Sequence, residues 1–267
     1  MSILLHKHGN RQRLAGGLLN ELSYRSRILF QFGLICFFGA AISLVLSFTT
    51  NIQVLGINAW IKPTKFFLSV GIFTWTMSWY LHYLKPGRFI KIYQWILILT
   101  LSLELVIITW QAANGRLSHF NTTTPFYLML FNIMGLAIVT IILATVVVSI
   151  LFFVQKNINL PLKYLWAIRI GLVLFIIFSF QGGMMAARLS HTVGAEDGGN
   201  GLPFVNWSRD YGDLRIAHFL GMHALQLIPM FAWFVASKTW HVFLFAGLYL
   251  GLVLFVLFRA LAGLALI

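Results

Sequence analysis

The chain of 267 residues is 60% hydrophobic and only 9% charged, with a mean hydropathy of +0.87. Soluble domains carry about a quarter charged residues, so this composition excludes a soluble fold and indicates an integral membrane protein built as one transmembrane helical domain, residues 1–267. The net charge of +13 is read as cytoplasmic anchoring of loops, not as nucleic-acid binding, and the single cysteine, Cys36, excludes both a disulfide framework and a CxxCH haem attachment.

In chain order, residues 1–27 read as a cytoplasmic basic tail. The apolar run that follows lacks a small-residue cleavage site and reads as a retained span. Seven apolar segments reach the length of a bilayer-crossing helix, at 28–49, 64–84, 90–110, 126–154, 164–186, 213–236 and 240–264, and predict an all-α bundle of seven transmembrane helices. Orientation follows from the cations: with the amino terminus inside, twelve of the 19 Lys and Arg residues are cytoplasmic. The outer seven are Lys62, Lys65, Arg116, Arg188, Arg209, Arg215 and Arg259, and the carboxy terminus is outside. Glu104, Glu196, Asp197, Asp210 and Asp213 all fall on the outer half.

The tetrapeptide Arg-Leu-Ser-His occurs twice, at 116–119 and again 72 residues later at 188–191. A four-letter repeat alone carries little information, but both copies follow outward-running spans. Each has a glutamine before it (Gln111, Gln181) and a Pro-Phe pair after it (Pro125-Phe126, Pro203-Phe204). That placement predicts a parallel internal repeat and puts His119 and His191 on the rim of one site.

The long outer loop at 187–212 is rich in Gly, Asp and Asn and reads as a structured loop or lid. In the sixth span, "SRDYGDLRIAHFLGMHALQ", Ser208 or Asp210 is expected to cap the helix, with Asp210 and Asp213 complementing its dipole. At about 100° per residue, His218, Met222, Arg215, Gln226 and His223 share one face. Glu104, in "ILTLSLELVIITWQ", lies about 10 Å below Gln111, too deep for a carboxylate that faces lipid. Its depth matches that of His223, so Glu104 reads either as half of a buried Glu-His acid–base pair with His223 or as a neutral acid satisfied by a helix carbonyl.

Three functions fit these residues. A b-type haem or redox-metal site would draw ligands from His119, His191, His218 and His223, with Arg116, Arg188 and Arg215 as cations for propionates. A zinc hydrolase acting on lipid-like substrates would use the same histidines, with Glu104 as base. A carrier or sensor would need only a polar cavity for a small molecule, quinone or lipid. The last span contains no lysine, which excludes a retinal Schiff base.

The segment "QGGMMAARLSH … LPFVNW … RIAHFLGMH" weakly resembles haem A synthase. More broadly, "WIKPTKFFLSVGIFTWTMSWYL", "WQAANGRLSHFNTTTPF" and "ARLSHTVGAEDGGNGLPFVNWSRDYGDLRIAHFLGMHALQ" resemble a bacterial family of uncharacterised polytopic membrane proteins, from Trp60 to Gln226. That resemblance implies a multi-pass protein of the bacterial inner membrane and assigns no activity.

Overall fold

The computed structural model describes residues 17–266. Within the expected basic tail, residues 17–25 fold into an additional helix, α1 (Gly17–Arg25), while Lys7, Arg11 and Arg13 lie outside the described residues. Helix α1 buries Leu22 and exposes Leu18 and Leu19. Its last residue, Arg25, donates to Glu21 at 2.8 Å and to the Trp79 carbonyl at 3.0 Å, with its guanidinium 3.7 Å from the Trp79 ring centre. Ser26 then takes an extended conformation and its hydroxyl accepts from the Leu29 N–H, which ends α1 and starts α2 (Arg27–Thr49).

A short hairpin, β1 (Gln53–Val54) with β2 (Ile57–Asn58), leads into α3 (Ile61–Leu81). Then come α4 (Arg88–Ala113), α5 (Pro125–Val154) and α6 (Leu162–Arg188). Strands β3 (Thr192–Val193) and β4 (Gly212–Asp213) pair antiparallel and deliver the chain into α7 (Leu214–Phe234) and α8 (Thr239–Leu261). Helices α2 to α8 match the seven apolar segments to within three residues at each end.

Side-chain bonds between loops show which loops share an end of the bundle. At the α1 end, the Lys85 N–H donates to Gln155 Oε1 at 2.8 Å, and Lys163 Nζ reaches the Ala236 carbonyl. At the other end, Lys65 Nζ donates to the Val205 carbonyl at 3.1 Å, and Gly198 lies against Leu55 of the first hairpin. Successive helices therefore alternate in direction, as short connections favour.

Among the described residues, six helices, α2 and α4 to α8, are long and apolar enough to cross a membrane. Their outer faces expose large apolar side chains such as Phe48, Leu136 and Leu248, and one apolar core runs through all of α2 to α8. The chain is a multi-pass helical membrane protein. Helix α3, although 21 residues long, falls outside that set, since Lys62, Lys65 and five Ser and Thr side chains lower its mean hydropathy.

The closest helix pairing is α6 with α7, because glycines let the backbones approach. A Cβ on Gly171 would stand 3.1 Å from the Leu225 Cα, and one on Gly221 would overlap the Phe178 ring. Helix α3 joins the same seam: the Tyr80 hydroxyl donates to the Leu225 carbonyl at 2.8 Å, and Gln226 Nε2 donates to Thr76 Oγ1 at 3.2 Å.

Candidate functional site

The carboxy ends of α4 and α6 lie at the same end of the bundle, and the two Arg-Leu-Ser-His segments meet there. Leu117 and His119 from the first and Arg188, Leu189 and Ser190 from the second wall one open pocket of about 600 Å³, completed by Leu55, Phe120 and residues of the 192–197 segment. His191 stands just behind this wall, between Ser190 and Thr192.

Both segments follow a helix end closed by paired 6→1 and 5→2 hydrogen bonds. In the first, the Arg116 N–H bonds the Gln111 carbonyl at 2.9 Å and the Gly115 N–H bonds Ala112 at 3.1 Å, with Gly115 at φ 62°. In the second, Ser190 bonds Met185 and Leu189 bonds Ala186, each at 3.2 Å, with Leu189 itself at φ 52°. The left-handed residue precedes the tetrapeptide in one copy and is its second residue in the other. The expected repeat is thus a shared location without a shared conformation, because α6 extends into the motif and α4 stops short of it.

The second turn is organised by Asp197. Its carboxylate accepts from the Ser190 hydroxyl at 2.8 Å and from the Thr192 N–H at 2.9 Å, and it lies 3.1 Å from His191 Nδ1. Burial pushes the Asp197 carboxyl up, but His191 and the hydrogen bonds from Thr192 and Ser190 outweigh it and hold the group below the usual carboxylate range. His191 is pushed down to about 4, by burial first and then by the Arg215 charge, against the opposing pull of Asp197 and Asp213. At neutral pH the contact is therefore one between a neutral imidazole and a carboxylate, and the hydrogen-bond partner of Nδ1 is the Thr192 hydroxyl at 3.2 Å.

The cap of α7 is Asp213, not Ser208 or Asp210. Its buried carboxylate accepts from the Arg215 N–H at 3.0 Å and the Ser208 N–H at 2.9 Å, and pairs with the Arg215 guanidinium at 2.6 Å. Arg215 also reaches the Asn206 carbonyl. This cation, expected to serve propionates, is occupied in tying the 200–209 loop to the helix. Arg116 and Arg188 are exposed, and Arg188 lines the pocket.

Lys62 stands behind His119. Its ammonium lies 5.8 Å from the Phe66 ring centre, and Phe66 lies 5.6 Å from the His119 ring. The charge of Lys62 acts on Glu104, His119, His191 and Asp197. Burial, and then this charge, pushes His119 well below the ordinary histidine range, so it is neutral. Glu104 is 2% exposed on α4, and neither of its oxygens has a hydrogen-bond partner within the protein. The charge it meets is Lys62; His223 instead directs Nδ1 to the Phe219 carbonyl at 2.8 Å on its own helix. The expected Glu104–His223 pair does not form, since α7 turns that histidine back along its own surface.

His218 sits one turn into α7, where Nδ1 donates to the Phe178 carbonyl of α6 at 2.6 Å and the ring packs on Gly182. The four histidines therefore fall into two sets, His119 and His191 about Lys62, and His218 and His223 on α7. Among the described residues, no three His, Cys, Asp or Glu side chains converge so as to hold a metal ion. The geometric ground for the expected four-histidine metal set is thus missing.

Lys62 and Lys65 were legible only as topology markers in the sequence. Two cations three residues apart at the start of an apolar segment, at the end that also carries the carboxylates, are the signal that marks them. Gln111 and Gln181, picked out as companions of the repeat, are buried with both amide atoms unpartnered. Comparison of the chain with protein-family models, characterised proteins and solved structures returned no match.

Proposed function

We propose that the chain is a seven-span protein of the bacterial inner membrane, with the α1 end cytoplasmic, that binds a small polar ligand in the pocket between the two Arg-Leu-Ser-His turns and acts as a carrier or sensor. The observation that carries this reading is the shared pocket of about 600 Å³, with His119 and Arg188 in its wall and the charge of Lys62 acting on His119. Pockets of this size suit small molecules. Helix α3 serves as the seventh span because it joins loops at opposite ends of the bundle, and its polar residues are tolerated where they face protein.

A ligand screen by thermal shift on detergent-purified protein tests the reading. At least one small polar solute should raise the midpoint, and that gain should vanish in Arg188→Ala and His119→Phe. No stabilising solute, or gains unaffected by both variants, would sink it.

Haem redox chemistry is a second reading favoured by one observation. With Nδ1–H donated to the Phe178 carbonyl, His218 keeps its Nε2 lone pair free, as an axial ligand requires. A Soret band that dithionite shifts, lost in His218→Ala, would support it over the carrier reading.

A further inference from the structure

We propose that Glu104 is a proton-binding site of the bundle interior, charged and discharged through the pocket by way of His119, with the Lys62 ammonium as the counter-charge. The inference rests on reading that end of the bundle as an open ligand site and adds proton coupling to it.

Glu104 lies nine residues before the end of α4, about 13 Å along the helix from its pocket-side end. It is 2% exposed and neither oxygen accepts a hydrogen bond. A carboxylate without donors at such a depth is strongly disfavoured, whereas the neutral acid is tolerated. The neighbouring elements offer one charge to offset ionisation. Helix α5 carries no charged residue, the charge of α2 is Arg27 at the opposite end of the bundle, and α3 supplies Lys62. Lys62 itself experiences Lys65, Arg215 and Asp197, and it acts on His119, which lines the pocket.

Gln111 lies two turns above Glu104 on the same helix face, fully buried with both amide atoms unpartnered. It gives the path a donor and an acceptor between the acid and the pocket. In the loaded state Glu104 is a carboxylic acid. On release its O–H bond breaks, the proton passes to water in the pocket, and the electron pair stays on a carboxylate facing the Lys62 ammonium.

The chain has only six Asp and Glu side chains, which makes infrared pH titration in lipid nanodiscs decisive. Wild-type protein should show a protonated-carboxyl C=O band that titrates away with a one-proton midpoint. Glu104→Gln should lack that band, and Glu104→Asp, a milder change for folding, should retain it at a shifted frequency. Lys62→Met should keep the carboxyl protonated to higher pH by about one unit or more. His119→Phe should slow the deuterium shift of the band after transfer into heavy water.

Persistence of the band in Glu104→Gln, its absence from wild type, or an unmoved midpoint in Lys62→Met would overturn the proposal. A titrating band together with a failed ligand screen would remove the carrier reading and leave the proton site. The reverse pair of results would remove only the proton site.

Discussion

The imidazole of His218 on α7 rests directly on Gly182 of α6, so that a Cβ at position 182 would stand 2.7 Å from Cε1 of the ring. The same ring donates to the Phe178 carbonyl one turn earlier, tying two helices by contact and by hydrogen bond. Gly182→Ala should therefore destabilise the protein by about 1–3 kcal/mol, as overpacking does. Denaturant unfolding in mild detergent measures this. The double variant Gly182→Ala with His218→Ala should recover part of the loss; additive losses would show that the ring does not set the spacing.

The Asp213–Arg215 pair makes a second stability test. Asp213 is 1% exposed and depends on the Arg215 guanidinium and two backbone N–H groups. Arg215→Met leaves a buried carboxylate without its cation and should cost about 3 kcal/mol or more. Adding Asp213→Asn should restore much of that. Equal stability of the single and double variants would refute the coupling.

Part of the acid sensitivity should originate at the second Arg-Leu-Ser-His turn. His191 is held down to about 4 from the ordinary 6.5, so the folded state resists a proton that the unfolded chain accepts. Stability is thus fully present above about 6.5 and falls as the pH drops from 6.5 toward 4. Asp197, whose folded value is depressed, adds a loss at still lower pH, when its carboxylate is protonated. Thermal melts of His191→Gln should show a flatter profile in the upper window. An unchanged profile would place the acid-sensitive group elsewhere.

The topology gives a direct labelling prediction. In a Cys36→Ala background, cysteines introduced at Asn51 and Lys85 flank α3. If α3 crosses the bilayer, a membrane-impermeant maleimide should modify Lys85→Cys and Asn51→Cys from opposite faces of sealed vesicles. Labelling of both from one face would make α3 a non-spanning helix and leave six spans.

Much of this architecture is legible in the sequence because each part of it rests on a local cause. Runs of apolar residues of bilayer length set the positions of α2 to α8, and the clustering of Glu196, Asp197, Asp210 and Asp213 in one loop marked the end that carries the pocket. Helix α1 was missed, because "GLLNELSYR" is too short to show a period and depends on Arg25 docking against Trp79. The cap of α7 was misplaced by a few residues, since Ser208, Asp210 and Asp213 are all competent and the β3–β4 pairing selects the last of them.

The sequence by itself determined that the protein is a helical membrane protein, where its seven long helices lie to within three residues, and that Glu104 must be sheltered from lipid, because hydropathy and the cost of a buried charge act locally. Only the tertiary structure decided which side chains meet. It placed His119 beside Lys62, turned His223 away from Glu104, bonded His218 to α6 and joined the two Arg-Leu-Ser-His turns around one pocket. Those outcomes depend on how each helix is rotated against its neighbours, and that rotation is set by distant packing such as Gly171 and Gly221 on the α6–α7 seam.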